Sequence, residues 1–219
     1  QLTNTTVPNI MVSEFFNGKS MKGRLTPEHQ QWLADATKNA QSGLQSLKNY
    51  QLSDGSFGWF SGETRGNESM TYFVLMSFAS APRIPGSPVS FWKALEYLNK
   101  NAPAPKSAKA FSLMYLDSWL NANPYDKMPV EKEAQIRFLG DAALSKGGTA
   151  FQRALILRTL NNYRKQLPEG LKPLQNQLIK AVEADVKTAL AGSTAAPGSL
   201  RPTGGDWQEY VGEWSSGTA

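Results

Sequence analysis

The sequence predicts an all-α fold, and three observations lead to that prediction. Apolar residues recur at spacings of three and four over several long segments, which is the pattern of an amphipathic helix. No segment alternates polar and apolar residues with the period of two that is typical of a half-buried strand. Some helical segments are amphipathic and others are apolar all round, so we expect an outer ring of helices around an inner ring. That arrangement is an α/α toroid of helical hairpins.

The first long helix is predicted to begin at Thr26-Pro27. Thr26 is the expected N-cap, and Pro27 occupies the first helical position, where its missing N–H costs nothing. The helix is predicted to end near Ser53-Asp54-Gly55. Its apolar stripe consists of Trp32, Leu33, Ala36, Ala40, Leu44, Leu47 and Tyr50.

Two later segments have almost no polar face, which predicts helices that are buried on all sides. The first runs from Met70 to Ala79, and the second begins at Ser107 and continues to Leu120. Between them, Ser87-Pro88 is predicted to open an amphipathic helix. The apolar positions of that helix are Phe91, Trp92, Leu95 and Leu98.

Three more helices are predicted in the second half of the chain. One begins at Pro129 and continues to Leu144, and Gly147-Gly148 separates it from a second helix over Ala150 to Leu160. The last helix is amphipathic and runs from Leu171 to Leu190. The short turns between these helices favour antiparallel neighbours, as a toroid of hairpins requires.

Length and composition exclude several classes of protein. The 219 residues, 40% of them hydrophobic, can bury one substantial core, and we expect a single domain over residues 1–219. No window approaches the roughly 18 uninterrupted apolar residues of a membrane span. The net charge of +5 comes from segments in which basic and acidic residues alternate, so the basic stripe of a nucleic-acid-binding protein is absent. The absence of cysteine excludes a disulfide, a zinc–thiolate site and a cysteine nucleophile within these residues, and favours a bacterial source.

Two loops rich in glycine and aromatic residues form an internal repeat. The first covers Asp54 to Gly62 and leads into the apolar helix that begins at Met70, and the second covers Gly205 to Trp214. The segment from Ser193 to Gly205 is predicted to be a flexible loop, and we expect the toroid to be incomplete at both ends. The residues of the repeat that are candidates for a site are Asp54, Gly55, Phe57, Trp59, Asp206 and Trp207.

These features resemble the thioester domain of the alpha-2-macroglobulin and complement family, a toroid of helical hairpins. In that family a Cys-x-Glu-Gln motif is followed by a short segment and then often by Pro-Asn-Ile and an apolar helix. Here Gln1 precedes Pro8-Asn9-Ile10 at the matching distance. The run Asp54-Gly55-Ser56-Phe57, and Gly66-Asn67 followed by Thr71-Tyr72-Phe73-Val74-Leu75, resemble the family's first toroid loop and second helix. The resemblance covers the N-terminal third in detail and the remainder only as architecture.

The resemblance implies a role in trapping proteases. Gln1 would be the acyl-bearing glutamine of an internal thioester, and its Cys would lie before these residues. In the family, cleavage of a bait segment by a protease exposes the thioester, and an amine or hydroxyl of the protease attacks the glutamine carbonyl. The chain would therefore be an extracytoplasmic part of a broad-spectrum protease inhibitor, without enzymatic activity, cofactor or metal of its own. Its partners would be target proteases and other domains of the longer protein.

The single histidine bears on the acceptor of such a transfer. In some family members a histidine from a later toroid loop assists transfer to hydroxyls, but His29 lies in the first turn of the first long helix and does not match that position. We therefore interpret His29 as a surface or helix-start residue. Transfer to lysine amines is the expected reaction.

Two other classes of function stay open. A carbohydrate-active enzyme with an α/α toroid would need two carboxylates at a fixed separation beside aromatic rings that stack on a sugar. The loops offer such residues, although glycines that permit tight turns and aromatic rings that plug the toroid rim are the favoured structural interpretation. A non-catalytic scaffold or adhesion module is the third class. The loop carboxylates are Asp54, Glu63, Glu68, Asp206, Glu209 and Glu213, and the aromatic residues beside them are Phe57, Trp59, Trp207, Tyr210 and Trp214.

Overall fold

The described part of the chain is all-α, as predicted. The computed structural model describes residues 2–18, 21, 23–81, 86–122, 127–165 and 167–191. Within these residues the only extended pairing is two isolated bridges, which join Phe57 to Gln51 and to Asn67. The helices are α1 (Leu2–Asn17), α2 (Pro27–Lys48), α3 (Glu68–Phe78), α4 (Phe91–Asn99), α5 (Ala108–Asn121), α6 (Val130–Leu144), α7 (Ala150–Asn162) and α8 (Lys172–Ala191), with a 3-10 turn at Glu169–Leu171.

The chain divides into two compact units, Gln1–Asn101 and Ala102–Ala219. The first unit holds α1 to α4, and the second holds α5 to α8. The expectations of a single domain over residues 1–219 and of a toroid arrangement stay predictions. Gln1, Asp206 and Trp207 lie outside the described residues, as does the whole segment from Ser193 to Ala219.

Helix α1 begins at Leu2 and packs against α2. Side-chain hydrogen bonds support its backbone on either side of Pro8, since the Thr5 hydroxyl donates to the Leu2 carbonyl and the Asn9 amide donates to the Thr5 carbonyl. The buried side chains of α1 include those of Thr6 and Ile10. An internal proline usually argues against a helix interior, so the sequence pattern alone did not predict that a helix begins this early.

The start of α2 is as predicted, but its end is not. Thr26 caps the helix, and His29 completes a capping box in which the Thr26 hydroxyl accepts from the His29 amide and the His29 Nδ1 atom accepts from the Thr26 amide. The helix ends at Lys48 instead of near Gly55. The Gln51 side chain binds the backbone of Ser90 and the Gly55 carbonyl, and these bonds hold the following residues in a loop.

Helices α3 and α4 depart from prediction in two respects. Phe73 on α3 is 39% exposed, so this helix is not buried on all sides, although Tyr72 and Leu75 are buried. Helix α4 begins at Phe91, where the Ser90 hydroxyl caps it, instead of at Ser87-Pro88. The rings of Phe78 on α3 and Phe91 on α4 lie 5.0 Å apart.

Helix α5 of the second unit confirms the predicted apolar helix. Ser107 caps it as expected, and Phe111 and Leu116 are among its buried side chains. Lys106, just before the cap, has φ 64° and places its ammonium group 4.9 Å from the centre of the Phe138 ring on α6. This cation–π contact covers part of an exposed aromatic ring.

Helices α6, α7 and α8 pack against one another. Their starts agree with the sequence, since α6 follows Pro129, α7 follows a Thr149 cap, and α8 begins one residue after Leu171. The Arg153 guanidinium on α7 makes two hydrogen bonds to the Asp185 carboxylate on α8, at 2.7 and 2.8 Å. It also donates to the carbonyls of Ala143 and Gly148, so one side chain joins all three helices.

Candidate functional site

The first Gly-aromatic loop is held by a dense set of short-range hydrogen bonds. The Leu52 amide donates to the Ser56 carbonyl at 2.8 Å, and the Gly55 amide donates to the Leu52 carbonyl at 3.0 Å. The Gly58 amide then donates to the Tyr50 carbonyl at 3.0 Å. These bonds close a tight turn that begins almost at the end of α2.

Gly55 is required at the tip of this turn. Its φ is +91°, a left-handed conformation that side chains with a Cβ rarely adopt. A Cβ at this position would also lie 2.3 Å from the Lys93 carbonyl carbon and oxygen. The glycine predicted as a loop residue therefore permits both the turn and its close approach to α4.

Asp54 uses its carboxylate to fix the same turn. Its Oδ1 atom accepts from the Ser56 amide at 3.0 Å and from the Ser56 hydroxyl at 2.5 Å, and Lys100 lies 3.9 Å from Oδ2. Burial acts to raise the pKa of Asp54, but the bonds from Ser56 and the charge of Lys100 outweigh it, so this pKa lies below its usual value. A carboxyl group that ionises this readily is a poor general acid.

Phe57 anchors the loop to α3. Its side chain is 0% exposed, its amide donates to the Thr71 hydroxyl on α3 at 2.8 Å, and its carbonyl accepts from the Asn67 amide at 2.9 Å. The Thr71 hydroxyl in turn donates to the Asn67 carbonyl. Phe57 is therefore a structural plug and not a ligand platform.

Trp59 and Phe60 are different, because they expose 59% and 73% of their surface. The Trp59 amide donates to the Glu63 carboxylate at 2.8 Å, which fixes the backbone beneath the indole ring. This carboxylate lies so close to Gly58 that a Cβ there would be 2.2 Å from the Glu63 Oε2 atom. Glu63 is thus a positioning residue for Trp59.

These two residues form one wall of a pocket of about 760 Å³ that lies within the first unit. The other walls come from the start of α1, the end of α2 and the outer face of α3. No charged side chain is among the described residues that line it. The pocket is lined by Leu2, Thr3, Ser46, Leu47, Asn49, Tyr50, Phe57, Gly58, Trp59, Phe60, Ser61, Met70, Phe73 and Val74.

The structure gives little support to acid–base chemistry at this loop. Asp54 and Glu63 each accept hydrogen bonds from the loop backbone, and neither lines the pocket. No group of three or more acidic, histidine or cysteine residues with the geometry of a metal site occurs in the described ranges. The remaining predicted loop residues, Asp206 and Trp207, lie outside them.

His29 lies at the start of α2, as expected. Its ring is 5.4 Å from the ring of Phe16 and 5.5 Å from that of Trp32, and it does not line the pocket. The histidine is therefore a helix-start residue with aromatic neighbours.

Sequence reasoning identified Trp59 but missed most of its companions. Phe60 follows it directly, whereas Tyr50, Phe73 and Leu2 come from three other segments. The adjacent Trp-Phe pair, placed after a glycine and before a second one, was the available signal for an exposed aromatic surface.

No helix in the described part of the chain is sufficiently long and apolar to cross a membrane. Comparison of the chain with protein-family models, curated proteins and solved structures gave no match.

Proposed function

We propose that this chain is part of the thioester domain of an alpha-2-macroglobulin-like protease inhibitor. The proposal rests mainly on the position of the pocket in the first unit. Leu2 and Thr3, which directly follow Gln1 in the chain, line it together with the rings of Tyr50, Trp59 and Phe60. The sequence resemblance assigns Gln1 as the acyl-bearing residue, and the pocket lies beside its immediate neighbours.

Such a pocket suits the chemistry of a thioester. A thioester is a strong acyl donor because the thiolate leaves readily, so it persists only where water is excluded. The described lining contains no charged group, and its aromatic rings supply a large apolar surface, so the pocket attracts less water than a charged site would. Because Trp59 and Phe60 are exposed here, we expect another domain of the longer protein to complete the shelter.

The acceptor that this site favours is an amine. Transfer to a hydroxyl needs a general base, and no titratable side chain other than that of Tyr50 is among the described residues that line the pocket. A neutral lysine amine attacks the glutamine carbonyl carbon without such a base. A C–N bond forms, the C–S bond breaks, and the amine proton passes to the departing thiolate. The protein would act once, as an extracytoplasmic trap, and not as an enzyme.

The test uses the longer protein, because these residues contain no cysteine. A Cys should stand three residues before Gln1, and the intact mass should be lower by one ammonia than the sequence requires. Methylamine should then add its own mass and free one thiol. The Gln1→Ala variant should lose this reaction, whereas the matched Gln30→Ala variant on the exposed face of α2 should keep it.

A second measurement tests the trap itself. Incubation of the longer protein with a protease should give a covalent adduct that survives reduction and denaturation, and methylamine treatment beforehand should prevent it. Absence of the upstream Cys would overturn the proposal and favour a non-catalytic scaffold. Glycan hydrolysis by the chain that is lost in Asp206→Asn would instead favour the carbohydrate-active class.

A further inference from the structure

We propose that the pocket of the first unit binds the aromatic side chain of an uncharged peptide segment. This inference goes beyond the proposed thioester, since it concerns a reversible binding site whose described lining residues all lie within residues 2–74. Three properties of the pocket support it: the absence of charged side chains among its described lining residues, the exposed rings on a hydrogen-bonded loop, and the uncharged polar groups in the same lining.

The absence of charge selects the ligand. No lysine, arginine, aspartate or glutamate is among the described residues that line the pocket. A charged ligand that entered would lose part of its hydration without gaining an ion pair, which costs free energy. A neutral group with a flat apolar face loses little and gains contact with the rings of Trp59, Phe60 and Phe73.

The backbone that carries the Trp59 ring is held in place before any ligand arrives. Glu63 accepts a hydrogen bond from the Trp59 amide, and the Gly58 amide is bound to the Tyr50 carbonyl. The buried ring of Phe57 fixes the same strip of backbone from the other side. Binding therefore does not require the loop to become ordered, and that removes one of the main costs of association.

Uncharged polar groups around the rings explain why a peptide fits better than a pure hydrocarbon. Ser46, Asn49 and Ser61 line the pocket and provide hydroxyl and amide groups. These groups can donate to and accept from the backbone amides on either side of an inserted aromatic side chain. A pocket of about 760 Å³ accommodates one such residue and its two peptide groups.

The experiment uses the chain of 219 residues and four small probes. N-acetylphenylalaninamide is neutral, N-acetylphenylalanine is an anion and phenylalaninamide is a cation, so three probes share one ring and differ in charge. Maltotriose represents a neutral sugar. Binding is followed by titration with observation of the indole N–H resonances, and we expect the neutral aromatic probe to bind at least about fivefold more tightly than the other three.

Two tryptophan variants locate the site. Trp59→Ala should weaken binding of N-acetylphenylalaninamide about tenfold, which corresponds to about 1.4 kcal/mol. Trp92→Ala is the matched control, because Trp92 is also half exposed at 51% but does not line the pocket, and this variant should bind as the parent does. Glu63→Gln retains an acceptor for the Trp59 amide and should also bind normally, whereas Glu63→Ala should bind more weakly.

Four results would overturn the inference. These are no binding of the neutral aromatic probe, equal binding of a charged analogue, equal effects of the two tryptophan variants, and tighter binding of maltotriose. The last result would identify a sugar site instead. Because the assay uses a chain without cysteine, its outcome is independent of the thioester test.

Discussion

The contact between α1 and α2 allows the most quantitative prediction of how a substitution changes stability. At their crossing, Gly43 on α2 faces Thr6 on α1. A Cβ at Gly43 would lie 2.0 Å from the Thr6 Oγ1 atom, 2.9 Å from its Cβ and 3.0 Å from its Cγ2. Thr6 is 1% exposed, so its side chain has little room to move aside. Gly43→Ala should therefore force the two helices apart.

The size of the effect follows from two opposing contributions. Alanine in place of glycine in a helix interior stabilises by about 1 kcal/mol. Overpacking a tight contact costs about 1–3 kcal/mol, and a contact of 2.0 Å falls at the upper end of that range. We expect Gly43→Ala to lower the free energy of unfolding by about 1–2 kcal/mol, measured by urea unfolding with far-UV circular dichroism.

A double-mutant cycle isolates the contact. Thr6→Ala removes Oγ1 and Cγ2 and keeps only the Cβ, 2.9 Å from the added methyl carbon. The remaining strain should roughly offset the gain in helix propensity, so Gly43→Ala should cost almost nothing in that background, which gives a coupling energy of about 1–2 kcal/mol. Thr6→Val is the control, because it keeps the branched shape and the clash. Equal costs of Gly43→Ala in the parent and in Thr6→Ala would show that this helix contact is not formed.

The Thr6→Val substitution is also expected to change stability by itself. Among the described residues the Thr6 hydroxyl is a buried polar group without a hydrogen-bond partner. Thr6→Val should therefore raise the free energy of unfolding by about 1 kcal/mol. A loss of stability in Thr6→Val would mean that the hydroxyl is satisfied in solution.

Three further predictions concern other parts of the fold. His29→Ala should destabilise α2 by about 0.5–1 kcal/mol through loss of the capping box, whereas His29→Gln should not, as urea unfolding can show. Arg153→Met should cost about 2–4 kcal/mol because it leaves Asp185 and two carbonyls unpaired, and Arg153→Lys should cost less; equal costs would contradict the four-bond geometry. Burial, with the charge of Asp117 adding to it, raises the pKa of Tyr163 to about 12. Its pKa is about 10 in the unfolded chain, so between these pH values the unfolded state binds fewer protons and stability should fall by up to about 1.4 kcal/mol per pH unit. Tyr163→Phe should flatten that slope.

The sequence predicted the starts of α2, α5, α6, α7 and α8 because the signals for them are local. Thr26, Ser107 and Thr149 each accept a hydrogen bond from an amide three residues later, and such a pattern can be recognised from the residues alone. The signal that ends α2, in contrast, is not local in the sequence. It depends on Gln51, whose side chain binds the backbone of Ser90, 39 residues away.

The site was predicted only in part for a related reason. Asp54 and Gly55 form a turn whose chemistry is contained in adjacent residues, so their roles could be anticipated as loop formation. The pocket combines Leu2, Tyr50 and Phe73 with that loop, and no spacing in the sequence relates these positions. Only the folded arrangement of α1, α2 and α3 brings them together.

The contrast between Phe57 and Trp59 separates the part of the loop that stabilises the fold from the part to which we assign the proposed binding. The buried ring and the hydrogen bonds at Phe57 fix the backbone, so folding of the loop does not depend on the exposed rings beyond it. Trp59 and Phe60 keep more than half of their surface in water, and an exposed apolar surface of this kind often marks a contact site. Because Trp59 and Phe60 keep most of their surface exposed, we expect their replacement to change the proposed binding much more than the free energy of unfolding. Substitution of Phe57 should do the reverse, first unfolding the loop and only thereby removing the pocket.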